Sequence, residues 1–308
     1  MFRGATWTDR AMLQRRNILR GLAGGAALSA TLARPGWTQP PFQSTRIVVE
    51  TRGDGPDLIL IPGLASTSTV WSRTTARLSE RRRLHLVSVR GFGDLPARGN
   101  ASGAVMAGVA AEVRRYIGES GLAAPSIIGH SMGGQVALRV AADAPDRVGR
   151  LMTVDASPFF PALISPGATV GDVEPIAQVA YQAVQFLGDQ GLRERGRALG
   201  LELGGAADAV FGSMGWQGGD RRVLAQALYE VMTVDLRHRL PDVTAPVTVV
   251  YGWSRDEASP RARADSLFRG AYASLPRPAV FERIEGAEHM VMIDQPNRFL
   301  AAVERFLA

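Results

Sequence analysis

Pro125-Ser126-Ile127-Ile128-Gly129-His130-Ser131-Met132-Gly133-Gly134 is a short apolar run that breaks into Gly-His-Ser-Met-Gly. It then continues at helical spacing through Val136, Ala137, Leu138, Val140 and Ala141. A strand entering a helix through so tight a turn forces Ser131 into strained backbone geometry. Gly129 and Gly133 leave room there, because a Cβ at either position would collide with the crossing strand or helix. The strain lifts the serine oxygen clear of the sheet, and the helix N-terminus aims free N–H groups at the same place. This one stretch therefore encodes a nucleophile and half of an anion-binding site.

Outward from it, apolar runs alternate with amphipathic ones. Ile47-Val48-Val49-Glu50 reads as a strand followed by a Gly53-Asp54-Gly55-Pro56 turn, and Leu58-Ile59-Leu60-Ile61 as a buried strand ending at Pro62-Gly63-Leu64. Residues 68–78 predict a helix with Trp71 and Leu78 inward, and residues 84–89 the next strand. Val105, Val109, Val113, Tyr116 and Ile117 mark a helix over residues 105–120, and Leu151-Met152-Thr153-Val154-Asp155 follows as a strand. Such alternation predicts a parallel sheet with right-handed crossovers. It stops after Asp155. Ile176, Val179, Ala180, Ala183, Val184 and Leu187 outline one helix, and Val223, Leu224, Ala227, Leu228 and Val231 another. Strands resume at residues 247–251 and 279–284, and a helix over residues 294–307 closes the chain.

With these residues in place, the chain resembles the α/β-hydrolase superfamily from about residue 45 to the C-terminus. The resemblance implies an α/β fold with a mostly parallel eight-stranded sheet flanked by helices. The core would comprise residues 45–156 and 244–308, with residues 157–243 inserted as a helical cap. Phe211, Met214 and Trp216, among glycines in that insertion, suggest a mobile lid over an apolar pocket, with ordinary helix packing as the equal alternative. Phe159 and Phe160 are further pocket candidates.

The resemblance also implies a Ser–acid–His triad in that chain order, with Ser131 as nucleophile. A serine hydroxyl needs a base to take its proton. Of four histidines, His85 lies in a strand, His130 adjoins the nucleophile with its ring expected to point away across the turn, and His238 sits between arginines. His289, in the loop between the last strand and the final helix, stands where the family places its base. Asp256 lies just past the strand where the family usually keeps the acid, although its spacing from Gly252 is one residue long. Asp155 is the alternative acid position, and Glu257 a weaker third. The oxyanion hole would use the backbone N–H groups of Met132 and Leu64. Many relatives have His-Gly in the latter loop where this chain has Pro62-Gly63.

The activity implied is hydrolysis of a carboxylic ester or thioester, a small-molecule substrate, through an acyl-serine. The same triad could instead serve C–C bond or lactone hydrolysis or perhydrolysis, and a non-catalytic binding protein of this fold is the further alternative. Aspartate-nucleophile relatives are disfavoured by Ser131. The chain has no cysteine and no lysine among its 308 residues, which excludes disulfides, thiolate zinc sites and every lysine-based chemistry. No cofactor or metal is expected, since the histidines lack ligand spacing and no dinucleotide fingerprint follows the first strand.

Residues 1–33 read as an address. Arg15-Arg16 precedes a glycine-rich, weakly apolar stretch and small residues before Arg34-Pro35, which resembles a twin-arginine export signal cleaved after Ala30 or Ala33. Residues 34–44 form a Pro-rich lead-in. The twin-arginine export machinery is then an expected partner, and the location periplasmic or secreted. Five arginines against one aspartate in residues 1–33 supply +4 of the net +6, leaving about +2 for the rest. That balance gives no electrostatic case for binding nucleic acid or for stable membrane association.

Overall fold

A computed structural model describes residues 42–198, 215–255 and 260–308. Its seven strands are β1 (Ile47–Arg52), β2 (Asp57–Ile61), β3 (Arg83–Val89), β4 (Ser126–His130), β5 (Arg150–Val154), β6 (Val247–Trp253) and β7 (Val280–Glu285). They form one sheet in the order β1-β3-β2-β4-β5-β6-β7. Only β1 runs antiparallel, pairing Ile47 with Val89 of β3. The parallel ladders place Ile61 beside Gly129 and His130 beside Val154, so the C-terminal ends of β2, β4 and β5 meet at one rim. Seven strands among the described residues is one fewer than the eight implied by resemblance.

The inner strands β2 to β6 are buried on both faces, which is why they read as apolar runs, whereas the edge strands β1 and β7 are partly exposed. Leu58, Leu60, Ile128 and Val250 face one apolar cluster, and Ile59, Ile61, Ile127 and Val249 the other. The first cluster is covered by α1 (Ser72–Leu78) and, near the C-terminus, by the single turn α7 (Val291–Asp294) and α8 (Pro296–Leu307). In α8, Phe299, Ala302, Val303, Phe306 and Leu307 are buried at i, i+3, i+4, i+7 and i+8, one stripe of a helix. The expected helix from residue 294 thus starts at Pro296, a favoured first-turn position for proline. The second cluster is covered by α2 (Val105–Glu119) and α3 (Met132–Asp143). Residues 68–78 divide into a 3₁₀ turn, Ser68–Trp71, and α1.

Between β5 and β6 the described residues contain helices and turns and no strand: α4 (Val170–Ala198), interrupted at Gly188, and α5 (Arg221–Thr233). On α5, Val223, Leu224, Ala227 and Val231 are buried as their spacing predicts. On α4 the expected stripe is buried only in part. Ala177 and Val184 are buried, whereas Ile176 and Val179 are 62% and 67% exposed. Tyr181 packs edge-on against Tyr229 of α5. Glu230 of α5 is itself buried, and its two carboxylate oxygens accept the N–H groups of Val105 and Met106 at 2.7 Å each. α2 has no side-chain cap of its own, so a carboxylate from the insertion caps it. After α5 and β6 comes α6 (Arg261–Ala271).

Candidate active site

Ser131 stands between β4 and α3 with φ 52° and ψ −122°, a conformation that costs a residue with a Cβ about 1–3 kcal/mol. Its N–H donates to Val154 C=O at 2.9 Å, and its C=O accepts from Gly134 N–H at 2.8 Å. The flanking glycines are obligatory for a local reason. A Cβ on Gly133 would lie 2.5 Å from the Pro62 carbonyl oxygen, and one on Gly129 would strike the Gly133 peptide.

Asp155, at the end of β5, also adopts positive φ, 45°. Its N–H donates to Val250 C=O at 2.8 Å, while Oδ1 accepts the Gly252 N–H at 3.1 Å. Oδ2 lies 2.6 Å from Nδ1 of His289. Because a carboxylate only accepts, Nδ1 carries the proton and Nε2 is left with its lone pair exposed for chemistry. The acid paired with His289 is thus Asp155, the alternative position the sequence offered. Asp256 and Glu257 lie outside the described residues. The link from the Ser131 hydroxyl to Nε2 is not made in this structure, a common state before substrate tightens the site.

His130 does not point away. Its Nε2–H donates to the backbone carbonyl of His289 at 2.9 Å, with the two rings 4.7 Å apart. Burial, and then repulsion from the His289 ring when that ring is protonated, hold the His130 imidazole well below the usual histidine range, so it stays neutral. The His289 loop has a second brace in Asp294, whose Oδ2 accepts Glu288 N–H at 2.9 Å and whose carboxyl is pushed up by burial. Fully buried Tyr272 supports the other partner. Its hydroxyl bridges Thr153 Oγ1 and Ala156 C=O, both 2.9 Å away and on either side of Asp155. No local pattern in the sequence marks these roles of His130, Asp294 and Tyr272, since each depends on a partner far along the chain.

The loop after β2 lies against the nucleophile. A Cβ on Gly63 would come within 2.8 Å of His130 Nδ1 and 3.1 Å of Ser131 Cβ. Leu64 follows it, buried, and Met132 opens α3, where first-turn N–H groups have no intrahelical acceptor. Of the pocket candidates, Phe159 is fully buried beneath the Arg237 guanidinium, 4.7 Å from its ring, and Phe160 and Trp216 pack half-buried against the apolar cluster that α2 and α3 cover. Phe211 and Met214 lie outside the described residues, as does residues 1–33. The described part of that segment, Gly215–Asp220, is hydrogen-bonded to the core. Among the described residues, no group of three or more metal-ligating side chains is assembled, and no helix is long and apolar enough to cross a membrane.

The arrangement can take a proton from a serine, hold the resulting imidazolium against a carboxylate, and return that proton to a leaving group. Comparison with known proteins agrees with that chemistry. A model of the "Alpha/beta hydrolase family" matches residues 58–303. The pimeloyl-[acyl-carrier protein] methyl ester esterase of Aeromonas hydrophila is 30% identical over 271 residues, covering 85% of this chain and 99% of that protein. The enzyme of the same name from Nitrosomonas europaea is 30% identical over 71% of this chain and 84% of its own length. Among solved structures, a thermophilic esterase from Thermogutta terrifontis superposes with a TM-score of 0.64 at 22% identity, covering 85% of this chain and 92% of that one.

Proposed function

This chain belongs to the alpha/beta hydrolase family and is an ester hydrolase, and from that premise we propose that Ser131, His289 and Asp155 hydrolyse an acyl ester of a small alcohol. The observation that carries the proposal is the 2.6 Å bond between His289 Nδ1 and Asp155 at the rim where the Ser131 elbow ends. Ser131 Oγ attacks the ester carbonyl while His289 Nε2 takes its proton. Asp155 stabilises the imidazolium and keeps the ring in the productive tautomer. The charge that develops on the carbonyl oxygen is received by the N–H groups of Leu64 and Met132, each worth about 3 kcal/mol of barrier. His289 then protonates the departing alcohol, and a water activated by the same nitrogen releases the acid.

The methyl ester named for the curated relatives supports a small leaving group here. The Aeromonas hydrophila enzyme is matched over nearly its full length by 85% of this chain. The Arg15-Arg16 pair ahead of a glycine-rich, weakly apolar stretch supports residues 1–33 serving as a twin-arginine-type export signal that would place the mature enzyme outside the cytoplasm.

The test is labelling by a fluorophosphonate, together with hydrolysis of p-nitrophenyl esters and of methyl esters of C4–C8 acids. Wild type is expected to label and to cleave both series; Ser131→Ala and His289→Ala are expected to do neither. Undiminished labelling of Ser131→Ala would sink the assignment. For the signal, Arg15→Lys with Arg16→Lys is expected to leave the protein in the cytoplasm, and unchanged fractionation would refute it.

A further inference from the structure

The turn that presents Leu64 has an unfavourable shape. Ser66 N–H donates to Gly63 C=O at 3.3 Å, closing a four-residue turn, and Ala65 at its third position has φ 54°. A residue with a Cβ is disfavoured there, and such a conformation persists only where its surroundings over-determine it. Pro62 carries no N–H with which to brace the loop from the β2 side.

The surroundings are one short stretch, Gly215–Asp220, that leads into α5. Gln217 N–H donates to the carbonyl of Ala65 itself, at 2.8 Å. The side-chain oxygen of Gln217 accepts from Thr67 twice, from its N–H at 3.2 Å and its hydroxyl at 2.8 Å. The Gln217 amide nitrogen donates to Thr69 Oγ1 at 3.0 Å. The Ser66 hydroxyl donates back to Gly215 C=O at 2.9 Å.

The stretch is in turn fixed to the core on its other side. Gly93 N–H donates to Gly218 C=O at 2.9 Å, and Asp220 N–H to Gly91 C=O at 2.8 Å. Gly215 lies so close to Met290, the neighbour of His289, that a Cβ would approach its Cε to 2.5 Å.

We infer that Gln217 is a positioning residue of the oxyanion hole: its side-chain grip on Thr67 and Thr69, added to its main-chain bond to Ala65, holds the strained turn that aims the Leu64 N–H at the reacting carbonyl. The inference rests on the hydrolase reading above. An oxyanion donor acts by being in place before charge develops, so a turn free to relax loses rate rather than ground-state binding. Gln217 touches no reacting atom, and its effect passes through the loop alone.

The experiment uses the full-length chain, a soluble p-nitrophenyl ester and a trifluoromethyl ketone, whose adduct with Ser131 places an oxyanion in the hole. Gln217→Ala is expected to lower kcat about tenfold, a fraction of the loss from deleting a donor outright, with KM within about twofold. Ketone affinity is expected to fall by a similar factor. Ala65→Gly added to Gln217→Ala is expected to recover most of the loss, because glycine occupies positive φ without penalty. Thermal melts of each variant register folding separately. An unchanged kcat, a kcat loss without a change in ketone affinity, or a loss that Ala65→Gly does not relieve overturns the inference. A wild-type protein that neither labels nor cleaves esters overturns the hydrolase reading, and this one with it.

Discussion

Replacing Asp155 by asparagine should cost far more than the loss of one charge, because the surrounding hydrogen bonds dictate how the new amide sits. Gly252 N–H donates to Oδ1 at 3.1 Å, and Oδ2 receives His289 Nδ1–H at 2.6 Å. In Asp155→Asn, Gly252 still requires an acceptor, so the amide oxygen takes the Oδ1 place and the NH₂ faces His289. Nδ1 must then accept, the ring's single proton moves to Nε2, and the nitrogen that should deprotonate Ser131 no longer has a lone pair. A serine triad with this wrong tautomer loses about 10⁴-fold in kcat, roughly 5 kcal/mol of barrier. Asp155→Ala offers Nδ1 no donor and leaves the tautomer free, so it is expected to retain at least as much activity as the asparagine variant. The assay is kcat for p-nitrophenyl butyrate, with Asp256→Asn alongside as the competing acid. More than a tenth of wild-type kcat in Asp155→Asn, or a thousandfold loss in Asp256→Asn, would refute the reasoning.

Other consequences can be measured on stability. Glu230→Ala removes two charge-assisted bonds at 2.7 Å and leaves the first N–H groups of α2 buried and unpaired. Its expected cost is about 3–5 kcal/mol in urea unfolding, and a loss below about 1 kcal/mol would contradict the account. Gly133→Ala drives a Cβ onto the Ile61 and Pro62 carbonyls and is expected to abolish soluble expression; an active, soluble variant would show that the elbow can move. Burial holds His130 and His85 below 6.5, their ordinary value. The unfolded chain therefore binds protons that the folded one refuses, and the stability present above pH 6.5 is lost as pH falls below it. The expected slope is up to about 1.4 kcal/mol per pH unit for each histidine. Equal urea midpoints at pH 7.5 and 5.5 would disprove it.

How much of this was legible in the sequence depends on how local each cause is. The elbow could be read because strand, turn and helix signals coincide within a few residues, and the obstacles facing Gly129 and Gly133 are neighbouring backbone. Strands β2 to β6 could be read because burial on both faces leaves them apolar throughout. The face of α4 could not. Ile176, Val179 and Val184 lie on one apolar stripe in the sequence, yet Val184 is buried and the other two are exposed, and the helix that packs on Tyr181 through Tyr229 comes from far along the chain. The acid was ambiguous for a related reason. Asp155 and Asp256 each follow an apolar strand, and β5 and β6 are neighbours in the sheet, so either could be carried to the same rim. What distinguishes Asp155 is positive φ, which a sequence shows plainly only for glycine, and an N–H from Gly252, 97 residues away. The support for His289 and Leu64 is more distant still, with His130 bonding across 159 residues and Gln217 across 150. A nucleophile can be encoded by a short motif because its strain is generated on the spot. Its base, acid and anion donors are aimed by contacts between loops from opposite ends of the chain, and such aim leaves no periodic trace.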